Sequence, residues 1–255
     1  MAHIYGSGGS SAFQIASKKR EDVLWRVLIV VMYGAMGLGV LCGSMFLRYA
    51  WIRYVAFLII IVLFFCARWW MRRFGQIIEE RLRESQVWRR GYEGERVVGE
   101  LLETALPDTF YVFNDVHFPG RTANIDHIVI GPSGIFVLDT KNWRGNVSLL
   151  DDGKTLLVNG QPDKNNTINV ALSAALDVRD KLKTLTNKEY FVKAILVFPL
   201  AKVSPRFNAT VELQQDDYLI DKRLNYIDKR TMLPDADIKI VVQALKALFR
   251  EDVAR

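Results

Sequence analysis

The feature that most constrains this chain is Gly131-Pro132-Ser133-Gly134, which sets two turn residues between the apolar runs Ile128-Val129-Ile130 and Ile135-Phe136-Val137-Leu138. A two-residue connection of this kind predicts a tight antiparallel hairpin. Its register places Gly131 opposite Gly134 and, counting outward, Asp126 opposite Asp139. Opposed residues point to the same face with Cβ atoms about 4.5–5.5 Å apart, so the two carboxylates repel unless a cation lies between them. Side chains alternate along a strand, so Ile135, Val137, Asp139 and Lys141 share a face, with Lys141 one step beyond the carboxylate pair. Taken alone, Asp139-Thr140-Lys141 is an ordinary solvated strand end. Its setting changes that reading: apolar residues on both faces imply a buried central hairpin, where unpaired charge is costly. His127 alternates to the opposite face from Asp126 and is expected to be a structural histidine.

A third carboxylate lies upstream, in Gly91-Tyr92-Glu93-Gly94-Glu95-Arg96-Val97-Val98-Gly99-Glu100-Leu101-Leu102. Val98 and Leu102 follow Glu95 at helical spacing, so Glu95 leans toward the buried side of a helix, while Glu93 and Glu100 read as solvated charges. Spacing alone leaves Glu95 an ordinary helix charge.

Taken in order, Gly91-x-x-Gly94-Glu95, Ile125-Asp126-His127, the Gly-Pro-Ser-Gly turn and Leu138-Asp139-Thr140-Lys141-Asn142-Trp143-Arg144-Gly145 resemble the nuclease-related domain, NERD, of the PD-(D/E)xK restriction-endonuclease-like superfamily. The resemblance spans roughly Gly91 to Lys229. It implies an α/β (α+β) fold with an αβββαβ core and a central mixed sheet, and a metal-dependent nuclease activity. By the same resemblance Asp126, Asp139 and Glu95 would hold the metal, and Lys141 would orient or activate the attacking water. Asp139 stands where the family more often has Glu. The segment Asn165–Val170 resembles the start of the family's next helix without its usual Pro and Gln, so that a role of that Gln is either lost here or replaced, with Asn169 the candidate.

The residue types suit that chemistry. A phosphodiester is anionic and gains negative charge on attack, hard carboxylate oxygens favour Mg²⁺ or Mn²⁺, and a lysine adds a further cation. Other chemistries are poorly supplied. Three histidines and two cysteines, Cys42 and Cys66 in apolar runs, give no zinc cluster and no disulfide framework. No P-loop, dinucleotide-binding glycine pattern or kinase signature is present.

The N-terminal part carries a different signal. Val27 to Leu47 runs through 21 residues without a charge, enough for a helix to cross a hydrocarbon core of about 30 Å. A second run, Tyr54 to Ala67, has 14, and is extended if Arg53 and Arg68 snorkel and Trp51, Trp69 and Trp70 sit in aromatic belts. Basic residues flank the pair on its outer sides: Lys18, Lys19, Arg20 and Arg26 before it, Arg68, Arg72, Arg73 and others after it. This predicts a two-helix hairpin in a bacterial-type inner membrane with both termini cytoplasmic.

The expected organisation is a flexible head over 1–22, a transmembrane hairpin over 23–71, an amphipathic juxtamembrane helix over 72–90, and the nuclease-like domain over 91–255. Within the last, Phe110–His117 and Tyr190–Phe198 read as strands and Tyr218–Ile220 as a short one. Val147–Leu150 with Thr155–Val158 forms a small hairpin, and Ala171–Leu185 and Ala236–Phe249 are helices. Lys202 and Arg206 are candidate phosphate contacts, with a solvated loop as the ordinary alternative. The net charge of +6 decides little, because the basic flanks supply much of it. The expected function is a membrane-anchored, metal-dependent nuclease acting on DNA, with RNA the lesser candidate. The alternative is an inactive nucleic-acid-binding or scaffold subunit of a membrane-associated DNA-processing, transfer or defence system. The lipid bilayer, a second copy of the chain and membrane-complex subunits complete the expected partners.

Overall fold

The apolar hairpin read from the turn is the centre of the protein. In a computed structural model, which describes residues 1–6, 10–44, 50–117, 121–150, 152–204, 210–215, 218–226 and 232–253, β3 (Ile125–Gly131) and β4 (Gly134–Thr140) pair antiparallel with Gly131 opposite Gly134 and His127 opposite Leu138. Gly131 has no room for a side chain, since a Cβ there would lie 2.2 Å from Cδ1 of Phe110. The hairpin sits inside a six-stranded sheet ordered β1 (His3–Tyr5), β2 (Tyr111–Val116), β3, β4, β8 (Val192–Val197) and β10 (Val211–Gln214). The β2–β3–β4 meander is antiparallel, whereas β1–β2, β4–β8 and β8–β10 are parallel, so the sheet is mixed.

Helices cover both faces. On one face α3 (Thr167–Thr186) and α4 (Asp235–Val253) bring Ala171, Val178, Leu182, Val241 and Leu245 against Ile128, Ile130, Ile135, Val137 and Leu196. On the other, Val98, Leu102 and Leu106 meet Val129, Phe136, Leu138 and Ile195. The i, i+4 spacing of Val98 and Leu102 makes this stripe, and the helix that carries it, α2 (Ala50–Ala105), ends two residues before Pro107. The last turns of α2, then β2, β3, β4, α3 and β8, give the expected order of helix, three strands, helix and strand. A small second sheet, ordered β7 (Gln161–Pro162), β6 (Leu156–Val158), β5 (Gly145–Leu149) and β9 (Ala201–Val203), includes the expected β5–β6 hairpin.

Several expectations change. Tyr218–Ile220, read as a strand, leads into a π-helical segment over Leu219–Leu224, because Leu219, Ile220 and Leu224 all face the α2 side of the sheet. The expected flexible head contributes β1, whose His3 stacks on Tyr111 and Tyr5 on Phe113, both at 4.7 Å between ring centroids. Part of the glycine-serine stretch, residues 7–9, lies outside the described residues.

The expected membrane hairpin is also overturned. The chain divides into one unit of Met1–Ser11 with Arg90–Arg255 and a second of Ala12–Arg89. The second holds α1 (Ser10–Ser44, apart from its first residues) and most of α2. Among the described residues, no helix is long and apolar enough to cross a membrane. This contradicts the two spans, the multi-pass inner-membrane location and the topology drawn from the basic flanks. Freedom from charge is a weaker condition than a continuous apolar helix. The second run has only 14 uncharged residues between Arg53 and Arg68, short of what a core of about 30 Å requires. The first is diluted by Gly34, Gly37, Gly39 and Gly43, and its end at residues 45–47 lies outside the described residues, as do residues 48 and 49 of the expected loop between the spans.

Candidate active site

The site forms where β3 and β4 reach the same end of the central sheet. Asp126 Oδ2 accepts a hydrogen bond from the Thr140 amide at 2.7 Å, which bridges the two strands by a side chain just past their last ladder pair. Asp139 Oδ1 accepts from Lys141 Nζ at 2.8 Å, so the lysine one step beyond the carboxylate pair turns back onto it. The second oxygen of Asp139 is buried with no hydrogen-bond partner among the described residues. Lys141's own amide donates to the Val197 carbonyl at 2.8 Å, extending the β4–β8 pairing and fixing where its side chain starts.

Glu95 reaches this group from α2 because the helix lies very close to the chain that leaves β4. A Cβ on Gly94 would come within 2.8 Å of Asn142 Cβ and 3.4 Å of Thr140 Cγ2, so only glycine permits the approach. Asn142 Nδ2 also donates to the Arg90 carbonyl at 2.6 Å and ties the loop to the helix.

The electrostatics follow from crowding three carboxylates around one ammonium. Burial, then Asp139 and Glu95, push Asp126 well above the ordinary carboxyl range, outweighing Lys141 and the Thr140 amide, which pull the other way. Burial and the charge of Asp115 push Glu95 up to about 7, with Asp139 adding to the rise and Lys141 opposing it. Burial pulls Lys141 down, but Asp139, Asp126 and Glu95 together outweigh it and leave its pKa raised. Lys141 is therefore an ammonium at neutral pH. It can hold and orient an anion or a water but has no free lone pair with which to act as a base.

The other expected residues separate from this group. His127 is buried on the opposite face, with Nδ1 2.7 Å from Asn114 Oδ1 and Nε2 without a partner. Burial lowers its pKa to about 4, leaving it neutral and structural. Asn169 donates to Asn166 Oδ1 at 2.6 Å within the first turn of α3, which commits its amide to its own helix. Lys202 lies exposed on β9, and Arg206 lies outside the described residues. Two contributors carry no sequence signal: Asn142, whose role depends on the approach of α2, and Asp115, whose charge reaches both Glu95 and His127.

The carboxylates do not form a ready cage. Among the described residues, no group of three or more His, Cys, Asp or Glu side chains is placed to hold a metal ion. Lys141 bonds one oxygen of Asp139 and the Thr140 amide one of Asp126. Carboxylate oxygens are the donor type that hard divalent cations take, although as placed these do not hold one.

Residues 90–199 match the nuclease-related domain family. A stretch of 59 residues, 22% of this chain, is 41% identical to an uncharacterized protein of Bacillus anthracis. The chain spans 28% of that relative's length. No solved structure matches the chain.

Proposed function

We propose that the nuclease-related domain at residues 90–199 hydrolyses phosphodiester bonds of nucleic acid, DNA before RNA, with Mg²⁺ or Mn²⁺ held by Asp126 and Asp139 and supported by Glu95. The observation that carries this reading is a buried group of carboxylates sharing one ammonium, with an oxygen of Asp139 left unpartnered at the sheet end. Perturbed titratable groups gathered in this way mark functional sites more often than structural ones. The match to a nuclease-related family supports the substrate class. Placement in the PD-(D/E)xK superfamily is supported by the order of elements and by the Asp126, Asp139 and Lys141 constellation on adjoining strands.

The side chains divide the work. Asp126 and Asp139 supply hard oxygen donors, and the Thr140 amide fixes how Asp126 presents its free edge. When bound, a divalent cation supplies Lewis acidity and neutralises charge developing at phosphorus. Lys141, kept cationic by its neighbours, releases Asp139 to turn toward the substrate phosphate or its attacking water. Glu95, pushed up to about 7, holds or yields a proton near neutrality and ionises fully once a cation offsets its neighbours.

The test is cleavage of labelled single- and double-stranded DNA and RNA by the full-length protein with Mg²⁺ or Mn²⁺, beside Asp139→Ala and Lys141→Ala. Cleavage that needs metal and disappears in both variants supports the reading. Salt-dependent binding without cleavage by folded protein replaces it with a nucleic-acid-binding role, and neither cleavage nor binding leaves a scaffold role.

A further inference from the structure

The chain turns sharply straight after Lys141. The Lys141 amide donates to the Val197 carbonyl, and the Lys141 carbonyl accepts from the Trp143 amide at 2.8 Å, which closes a three-residue turn with Asn142 at its centre. The two residues after Lys141 fasten this turn in opposite directions. Trp143 packs with the cluster on the α3 side of the sheet, its ring 5.6 Å from that of Phe198 between centroids. Asn142 reaches toward α2, where Nδ2 donates to the Arg90 carbonyl at 2.6 Å.

Asn142 Oδ1 is buried with no hydrogen-bond partner among the described residues, so the Arg90 bond and packing hold the side chain. The packing is against a glycine. Arg90 and Gly94 are four residues apart and share one stripe of α2, and a Cβ at Gly94 would come within 2.8 Å of Asn142 Cβ and 3.1 Å of its Cγ. Glycine is among the least favourable residues in a helix interior, so α2 gives up intrinsic stability for this close approach. Glu95 follows Gly94 on the helix, and Lys141 precedes Asn142 on the turn. The Gly94–Asn142 contact therefore lies one residue from both side chains.

We infer that Asn142 is a positioning residue for the proposed cleavage: it locks α2 to the turn after β4 and so fixes Glu95 and Lys141, which enter from different elements, relative to one another. This rests on the nuclease reading above. Asn142 acts through its neighbours, since the engaged end of its amide is committed to the Arg90 carbonyl and the other end is buried. A displacement of about 1 Å, caused away from the reacting atoms, is enough to cost about a hundredfold in rate.

Two variants open this contact from its two sides. Asn142→Ala removes the bond to Arg90, and Gly94→Ala wedges the helix away from Asn142. The experiment measures steady-state cleavage of labelled DNA and RNA by the full-length protein and both variants in Mn²⁺, with amide hydrogen exchange of each. Both variants should lower kcat about tenfold or more while KM stays within about twofold. Exchange should rise in residues 90–95 and 141–143 together while the rest of the domain keeps its protection. A kcat within about twofold of wild type in either variant, an effect confined to KM, or exchange that rises throughout the domain or in neither segment overturns the inference. Wild-type protein that cleaves none of the substrates overturns the nuclease reading itself and the inference with it.

Discussion

The central sheet buries two charged groups whose construction differs. In the first, Glu212 of β10 accepts from Lys193 Nζ at 3.2 Å on one oxygen and from Arg223 Nε at 2.6 Å on the other, while the Arg223 guanidinium lies 4.8 Å from the centre of the Phe136 ring. Two cations enclose one anion, and both carboxylate oxygens are satisfied. In the second, Glu95, Asp126 and Asp139 surround the ammonium of Lys141, and Asp139 keeps a buried oxygen with no partner among the described residues. The first group is complete as it stands and fastens the Leu219–Leu224 segment to the sheet. The second is crowded with carboxylates, and its repulsion is relieved by protonation, which the raised pKa values of Glu95 and Asp126 record, or by an added cation.

The largest expected effect is on the complete group. Glu212→Gln removes the buried carboxylate that Arg223 and Lys193 share and should cost about 3–5 kcal/mol of stability, read as a large fall in Tm by scanning calorimetry; an unchanged Tm would dissolve the contrast. Next, Asp139→Ala or Lys141→Ala should reduce metal-dependent cleavage at least about a hundredfold, with circular dichroism showing the fold intact. Residual cleavage near wild type would move the chemistry elsewhere. Asp126→Asn should act in the opposite sense to Glu212→Gln: loss of a repelling charge, with an acceptor kept for Thr140, should raise metal-free stability by about 1 kcal/mol while lowering activity. A lower stability in this variant would mean that the carboxylates are not in conflict.

The smallest effect is a pH dependence with two opposed parts. Glu95 is pushed from 4.5 to about 7 on folding, so the folded chain keeps a proton that the unfolded chain releases between those values. That contribution is full below 4.5 and is lost as pH rises to 7. His127 is lowered from 6.5 to about 4, so its contribution is full above 6.5 and is lost as pH falls toward 4. Glu95→Gln removes only the first part. Measured without metal, the wild-type Tm should therefore fall relative to that variant as pH rises from 4.5 to 7, and a flat difference would remove Glu95 from the repelling group.

Much of the second group could be read from the chain because its members are close in sequence. Asp126, Asp139 and Lys141 lie on two strands joined by Pro132-Ser133, and the turn alone fixes their register. Glu95 needed the family resemblance, since its place depends on Gly94 letting α2 approach Thr140 and Asn142. Asp115, with its left-handed backbone and a charge that reaches Glu95, had no signal in the sequence. The complete group was invisible for a related reason: Lys193, Glu212 and Arg223 come from three elements, and no period links them.

The apolar runs of the N-terminal part teach the converse. Counting uncharged residues predicted two membrane spans, yet no described helix is long and apolar enough for one. An amount of apolar residue is a property of a segment. What that segment does depends on its length as a helix, its interruptions and the surface it meets. By itself the sequence determined the hairpin and its register from Gly131–Gly134 out to His127–Leu138, consequences of turn closure and strand alternation within a few residues. Only the tertiary structure decided that α2 delivers Glu95, that Lys141 stays cationic, and that His3–Tyr5 becomes a strand on the edge of β2. These depend on contacts between residues far apart in the chain, where local propensity carries no information and packing, desolvation and charge choose the outcome.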